Sequence, residues 1–434
     1  MKRDLDKELE KWSKSKFRTP LIIKGARQVG KSWLVDNFAK SFEHYVKINF
    51  EKQPQYKAAF EIEINIARLL EKLALYTQQP IVSGKTLLFL DEIQECPTAI
   101  LYLRYFKEEY PQLHVIAAGS LLEFALENIG APVGRVDYLY LLPLSFGEFL
   151  SANAREDLRE LSLKSSTDAM LDKLLKDYLK TYMWLGGMPE VVAAWLEHQD
   201  PMLCQSIQNR IITAYQDDFL KYSKTNQVEY VAKLFNAVPV QLGKKFVYAR
   251  IDTDIRTASL KQALELLQKA NIIHQCFYSS GQKPPLSAGI NEKFFKAFFL
   301  DIGLAQRLLG LEYKNWLLQP ISIDNIGEIT EQFVAQELIA YLSKHKREAI
   351  FYWQRDAKGS SAEIDFLISV NTRIFPIEVK AGKTGRLKSM RIYLDSHPTV
   401  NYGVKICEKS FEKENGILQI PFYAIETWLK TECN

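Results

Sequence analysis

The chain has 434 residues, of which 47% are hydrophobic, 25% charged and 12% aromatic; that balance and length suit two to four globular domains and exclude a disordered chain or a miniprotein. Fifty-six Lys and Arg against 52 Asp and Glu leave a net charge of +4, too small for bulk electrostatics to bind nucleic acid, so any such surface must be local. No apolar run reaches the length of about 18 residues that a membrane span needs, and the first residues, MKRDLDK, lack the apolar core of a secretory signal, so a cytoplasmic protein with no membrane partner is expected.

In chain order, short apolar runs alternate with amphipathic stretches over the first 150 residues, the pattern of a parallel α/β domain. Strands are expected at 21–23, 45–50, 86–90 and 113–118, with helices at 31–40 and 56–76. From 151 to 225 the strand signal gives way to long helices, interrupted by Gly186-Gly187-Met188-Pro189, where glycine freedom and a following proline require a sharp turn. Helices at 227–235 and 260–270 precede an alternating strand at 272–278 and a polar tip, the order of a winged helix. A helix at 328–343 and strands at 349–354, 363–370 and 374–380 make a further α/β unit. The five cysteines and six histidines show no CxxC or HExxH spacing, so neither a disulfide framework nor a zinc site is suggested.

Gly25-Ala26-Arg27-Gln28-Val29-Gly30-Lys31-Ser32, followed by Trp33, is a GxxxxGK[ST] phosphate-binding loop between an expected strand and an expected helix, the context the motif requires. Its glycines let backbone N–H groups wrap phosphates, Lys31 reaches the β- and γ-phosphates of ATP, and Ser32 ligates Mg²⁺. The strand at 86–90 ends in Asp91-Glu92; an aspartate there assists Mg²⁺ and a glutamate polarises the attacking water. Ser120, at the tip of the next strand, is a candidate γ-phosphate contact, with a helix cap as the alternative. Arg135 is a candidate for neutralising transition-state charge in its own or a neighbouring subunit, with a plain surface arginine as the alternative.

In the last third, Asp365 and Glu378-Val379-Lys380 lie on two expected strands, the layout of PD-(D/E)xK nucleases, in which two carboxylates bind Mg²⁺ and a lysine activates water. Glu331 or Glu337 on the preceding helix could complete that site. The entry Gly359–Asp365 lacks the Pro-Asp of active nucleases, leaving a nuclease, a nucleic-acid-binding relic and plain structural carboxylates all open. Basic residues gather at Lys344–Arg347 and at Lys383, Arg386, Lys388 and Arg391, which suits phosphate contact or a solvated face.

GARQVGKS, LLFLDEIQ, AAGS, LLPLSFGEFL, YMWLGGMPEVV, KAFFLDIGLAQRLLG, GEITEQFVAQEL and the EIDFLI…FPIEVKAG pair resemble, over essentially the whole chain, AAA+ ATPases that carry a C-terminal domain of unknown function, DUF4143. The resemblance implies an α/β fold with a P-loop ATPase core at 1–150, a helical lid or linker at 151–225, a winged-helix region at 226–290 and a nuclease-like α/β domain at 291–434. The function expected is ATP hydrolysis with Mg²⁺ coupled to DNA, with self-association through the ATPase core. An ATP-dependent nuclease and a nucleotide-regulated protein-interaction switch are the alternatives.

Overall fold

The computed structural model describes residues 1–61, 65–129, 134–162, 168–224, 227–314, 327–355, 362–380 and 387–433. Strands β1 (Leu21–Lys24), β2 (His44–Asn49), β3 (Thr86–Asp91), β4 (His114–Gly119) and β5 (Asp137–Tyr140) form one parallel sheet in the order β2-β3-β4-β1-β5. β1, β3 and β4 are buried along their whole length, which is why their sequences are continuous apolar runs rather than alternating ones. Two separate apolar clusters cover the two faces. Because the strands are parallel, the loops after β1, β3 and β4 meet along one edge, where ligands of such sheets bind. The helix expected at 56–76 is divided: a 3₁₀ turn spans Pro54–Ala59, and the α-helix runs Ile66–Thr77 behind Asn65, whose side chain accepts the Arg68 N–H at 2.9 Å. Phe60, between them, is buried against the Phe50 and Tyr102 rings, so tertiary packing sets the break.

Helices Phe146–Ala152, Glu156–Ser162, Ala169–Leu185, Pro189–His198 and Pro201–Asp217 follow. Helices Val228–Val240 and Thr257–Lys269 then lead into the hairpin β6 (Ile273–Ser279) and β7 (Ile290–Phe299). The remaining strands are β8 (Phe351–Gln354), β9 (Glu363–Val370), β10 (Arg373–Lys380), β11 (Gly403–Cys407), β12 (Glu412–Glu414) and β13 (Ile417–Pro421). They join that hairpin in a second, mixed sheet of order β12-β13-β11-β10-β9-β8-β6-β7. The β6–β7 hairpin is thus an edge of the C-terminal sheet, with β6 parallel to β8.

The helix Gly327–Leu342 is buried on nearly every side, and its polar side chains serve as connectors. Gln332 bonds both the N–H and the carbonyl of Phe299, and Gln336 accepts the Ile302 N–H and donates to the Tyr182 hydroxyl, all at 2.8–2.9 Å. Tyr182 donates in turn to the Leu144 carbonyl. At the end of the helix Ala169–Leu185, Gly186 takes φ +80°, and a Cβ on Gly187 would stand 2.1 Å from the Leu144 carbonyl oxygen. The Gly187 carbonyl accepts the Leu144 N–H at 2.7 Å, and its own N–H donates to Asp301 at 2.6 Å. Burial pushes Asp301 up to about 6, opposed by the backbone N–H groups it accepts. Burial likewise pushes Glu337, which accepts the Phe146 N–H at 2.9 Å, up to about 8.

Gly187→Ala, which forces two backbones apart, should cost about 3 kcal/mol in urea denaturation. The raised carboxyl of Glu337 binds its proton more tightly folded than unfolded. Its stabilisation is therefore full below the ordinary carboxyl range, about 4.3, and is lost as pH rises through about 8. Glu337→Gln should flatten that part of the profile of melting temperature against pH.

Candidate functional site

The loop after β1 turns through Gly25, Gln28 at φ 64° and Gly30 at φ 95°, and Gly30 caps the helix Lys31–Phe38. A Cβ at Gly25 would lie 2.1 Å from the Leu141 carbonyl oxygen, so the loop passes too close to its neighbour for any side chain. The Lys31 ammonium folds back on the loop, donating to the carbonyls of Gly25 and Ala26 at 3.0 and 2.8 Å. Burial lowers this lysine to about 8, against the pull of the Glu92 and Asp91 carboxylates nearby. The Ser32 hydroxyl lies 2.9 and 3.1 Å from the two oxygens of Asp91. Asn49, on the adjacent strand, donates to the same carboxylate at 3.0 Å. Burial raises Asp91 while the Ser32 hydrogen bond lowers it. A hydroxyl and a carboxylate side by side are the oxygen donors a hard divalent cation takes, next to a loop of N–H groups suited to phosphate.

Glu92 follows Asp91 in the left-handed region at φ 51°, a conformation that costs a glutamate on the order of 1 kcal/mol and redirects its side chain. Its carboxylate accepts from Gln94 at 2.6 Å and lies 3.4 Å from the Ser120 hydroxyl. The tips of β3 and β4 are thereby joined at the acidic pair. Arg135 goes elsewhere: it precedes β5, whose Asp137 pairs with Leu21 at the start of β1, and it bonds Glu108 at 2.8 Å. The parallel register places it at the edge of the sheet opposite the phosphate loop, so it cannot serve its own chain's nucleotide. Arg27 is a strut, bonded to Asp218 at 2.6 Å and Glu51 at 3.4 Å, and the Tyr215 hydroxyl donates to its carbonyl.

A cavity of about 500 Å³ opens beside the loop, lined among others by Gln28, Lys31, Trp33, Leu144 and Pro189. Arg3 also lines it: this buried guanidinium donates to the Val29 carbonyl at 3.1 Å, to the Leu142 carbonyl at 2.6 Å and to Glu148 at 3.0 Å. Neither Arg3 nor Pro189 was legible as a site residue, since a lone arginine carries no motif and the GGMP turn shows only its geometry.

In the C-terminal sheet, Glu331, Asp365, Glu378 and Lys380 come together, with two residues that no motif indicates, Lys296 and Glu363. Lys296 bonds Glu331 at 3.1 Å and Glu363 at 2.7 Å, while Lys380 bonds Glu378 at 2.6 Å. Burial raises Glu331 to about 8 and Glu378 to about 7. Glu337 takes no part, being held at the Phe146 helix. Of the basic cluster, Arg347 turns inward to His274 and the carbonyls of Gln268 and Ile273, which removes it from any phosphate-binding face. Lys388 and Arg391 are exposed, and Lys383 and Arg386 lie outside the described residues.

The parallel sheet, its glycine loop and the Ser32–Asp91 pair define a P-loop ATPase of the AAA type, and residues 17–150 match the family model of an AAA domain. Residues 326–425 match the family model of a domain of unknown function, DUF4143. A second domain of unknown function, DUF8612, matches 176–315. No curated protein matches the chain. Among solved structures it is similar to a Walker-type ATPase of Pyrococcus abyssi, at 17% identity over 71% of this chain and 95% of that one with a TM-score of 0.45. It is also similar to the Aeropyrum pernix ORC1 protein in complex with DNA, at 12% identity over 71% and 93% with a TM-score of 0.29. These are loose likenesses, and the assignment stands on the family models and the site.

At pH 8 the Lys31 ammonium is near half-protonation, and a bound phosphate favours its charged form. Binding of an ATP analogue should therefore take up a fraction of a proton, seen as a dependence of calorimetric enthalpy on the buffer's ionisation enthalpy. Binding at pH 6.5, where Lys31 is already charged, should show little of this.

Proposed function

We propose that the chain hydrolyses ATP with Mg²⁺ and couples the cycle to DNA. The observation that carries the first part is the contact of Ser32 with Asp91 beside the buried Lys31. Lys31 would draw the β- and γ-phosphates, Ser32 and Asp91 would hold Mg²⁺, and Glu92, steadied by Gln94, would take a proton from the attacking water. Mg²⁺ supplies charge neutralisation at the phosphates. Trp33 and Pro189 would border the nucleotide. Pro189 lies two residues from Gly187, so closure around ATP would pull on the junction that reaches the C-terminal helix Gly327–Leu342.

The DNA part rests on local charge. Residues 226–290 hold eight Lys and Arg against four Asp and Glu, a net +4 equal to that of the whole chain. Arg250, Arg256, Lys261 and Lys283 are exposed on this winged-helix-like segment, which suits contact with a phosphate backbone. The partition into core, lid, winged-helix-like and nuclease-like segments is part of the same reading. The edge position of Arg135 leaves it one role at a nucleotide, that of an adjoining copy in a self-associated form.

Phosphate-release kinetics with and without single- and double-stranded DNA are the direct test, and turnover indifferent to both would remove the DNA reading. Lys31→Ala should abolish nucleotide binding, whereas Glu92→Gln should keep binding and lose about 10²–10⁴ in turnover. Arg256→Ala with Lys261→Ala should weaken DNA retention for all sequences and lower the slope of log affinity against log salt by about 2. Mixing Arg135→Ala with Lys31→Ala protein should restore some turnover, and no recovery in verified mixed oligomers would sink action across subunits.

A further inference from the structure

The carboxylates of the C-terminal sheet already enclose a cation, and it belongs to the chain. Lys296 is 1% exposed. It stands on β7 opposite Cys276 of β6, its ammonium lies 5.6 Å from the centre of the Tyr352 ring of β8, and it ends among Glu363, Glu331 and Asp365 at 2.7, 3.1 and 3.9 Å. β9 and β10 are antiparallel, their register running to Phe366 opposite Ile377, and Asp365 and Glu378 are the residues that follow that last pair on the two strands. Asp365 also accepts the Val379 N–H at 2.7 Å. This is where a nuclease of this layout would carry its metal through carboxylate oxygens. Among the described residues, however, no three carboxylate, histidine or cysteine side chains are disposed to hold a metal ion.

A buried ammonium persists only where carboxylates surround it, and a divalent cation placed beside it would meet a like charge at short range in a medium of low polarisability. The residues present therefore do not fit the metal. We infer that the Lys296 ammonium is the resident cation of this centre, standing in place of a divalent metal, so that the carboxylates dock the β6–β7 hairpin instead of cutting a phosphodiester. The arrangement joins two parts of the chain: Lys296 lies in the DUF8612 match, and Glu331, Glu363, Asp365 and Glu378 all lie in the DUF4143 match. The inference is independent of the nucleotide site.

The test is titration of the full chain, without nucleotide, with Mn²⁺ followed by electron paramagnetic resonance; binding lost on Asp365→Asn is assigned to this centre. The wild-type chain should show no such binding up to about 1 mM, and Lys296→Ala should gain one Mn²⁺ that Lys296→Ala with Asp365→Asn loses again. Asp365-dependent Mn²⁺ binding in the wild type would overturn the inference, as would a folded Lys296→Ala that gains none. If Lys296→Ala melts early or fails to fold, Mn²⁺ at about 1 mM should raise its melting temperature by binding the folded state; melting unmoved by Mn²⁺ would also overturn it.

Discussion

The close approach of Gly187 to Leu144 is the constraint on which the rest of the molecule depends. Two backbones touch there with no room for a methyl group, and each end of the contact leads to a different part of the chain. Leu144 and Pro189 line the cavity beside the phosphate loop. On the far side, Asp301 accepts the Gly187 N–H, and Gln336 and Tyr182 carry the connection into the helix Gly327–Leu342. A single apolar cluster runs through this region from Leu5 to Leu429. The ATPase core and the C-terminal sheet are therefore joined by packed interior, which transmits displacement because it cannot be compressed.

The phosphate loop is held by partners that lie outside its own motif. Arg3 ties the Val29 carbonyl to Leu142 and Glu148, and Arg27 ties the loop to Asp218. A loop of backbone N–H groups gains affinity for phosphate when its shape is fixed before the ligand arrives; Arg3 supplies that fixation from the N-terminal segment, and Arg27 supplies it from within the loop by reaching out to Asp218. Arg3 and Arg27 thus act on position, while Lys31, Ser32, Asp91 and Glu92 are the residues proposed to act at the nucleotide.

The chain carries two acidic centres with lysines, and they differ in what surrounds the charge. At the first, Asp91 accepts hydrogen bonds from the neutral Ser32 and Asn49, which can yield to a metal and its waters, and the Lys47 ammonium stands further off at 3.7 Å. At the second, the ammonium groups of Lys296 and Lys380 bond Glu331, Glu363 and one oxygen of Glu378, while the other Glu378 oxygen is buried without a hydrogen-bond partner. Similar residue types thereby give an open site in one sheet and a docked ion cluster in the other.

The class of the N-terminal sheet and its phosphate loop were legible in the sequence because both are local: buried parallel strands write themselves as unbroken apolar runs, and the loop's glycines, lysine and serine follow at fixed spacing on one turn of chain. The convergence of Asp365, Glu378 and Lys380 was partly legible, since strand alternation sets which residues share a face. What only the tertiary structure decided depends on strand order and on partners remote in sequence. The parallel register put Arg135 at the edge of the sheet away from the phosphate loop. The pairing of β6 with β8 made the β6–β7 hairpin an edge of the C-terminal sheet. Lys296 met Glu331, Glu363 and Asp365 from 35 to 69 positions away, and no pattern along the chain marks a lysine for such a place, because the ammonium is buried by elements that follow it in the sequence.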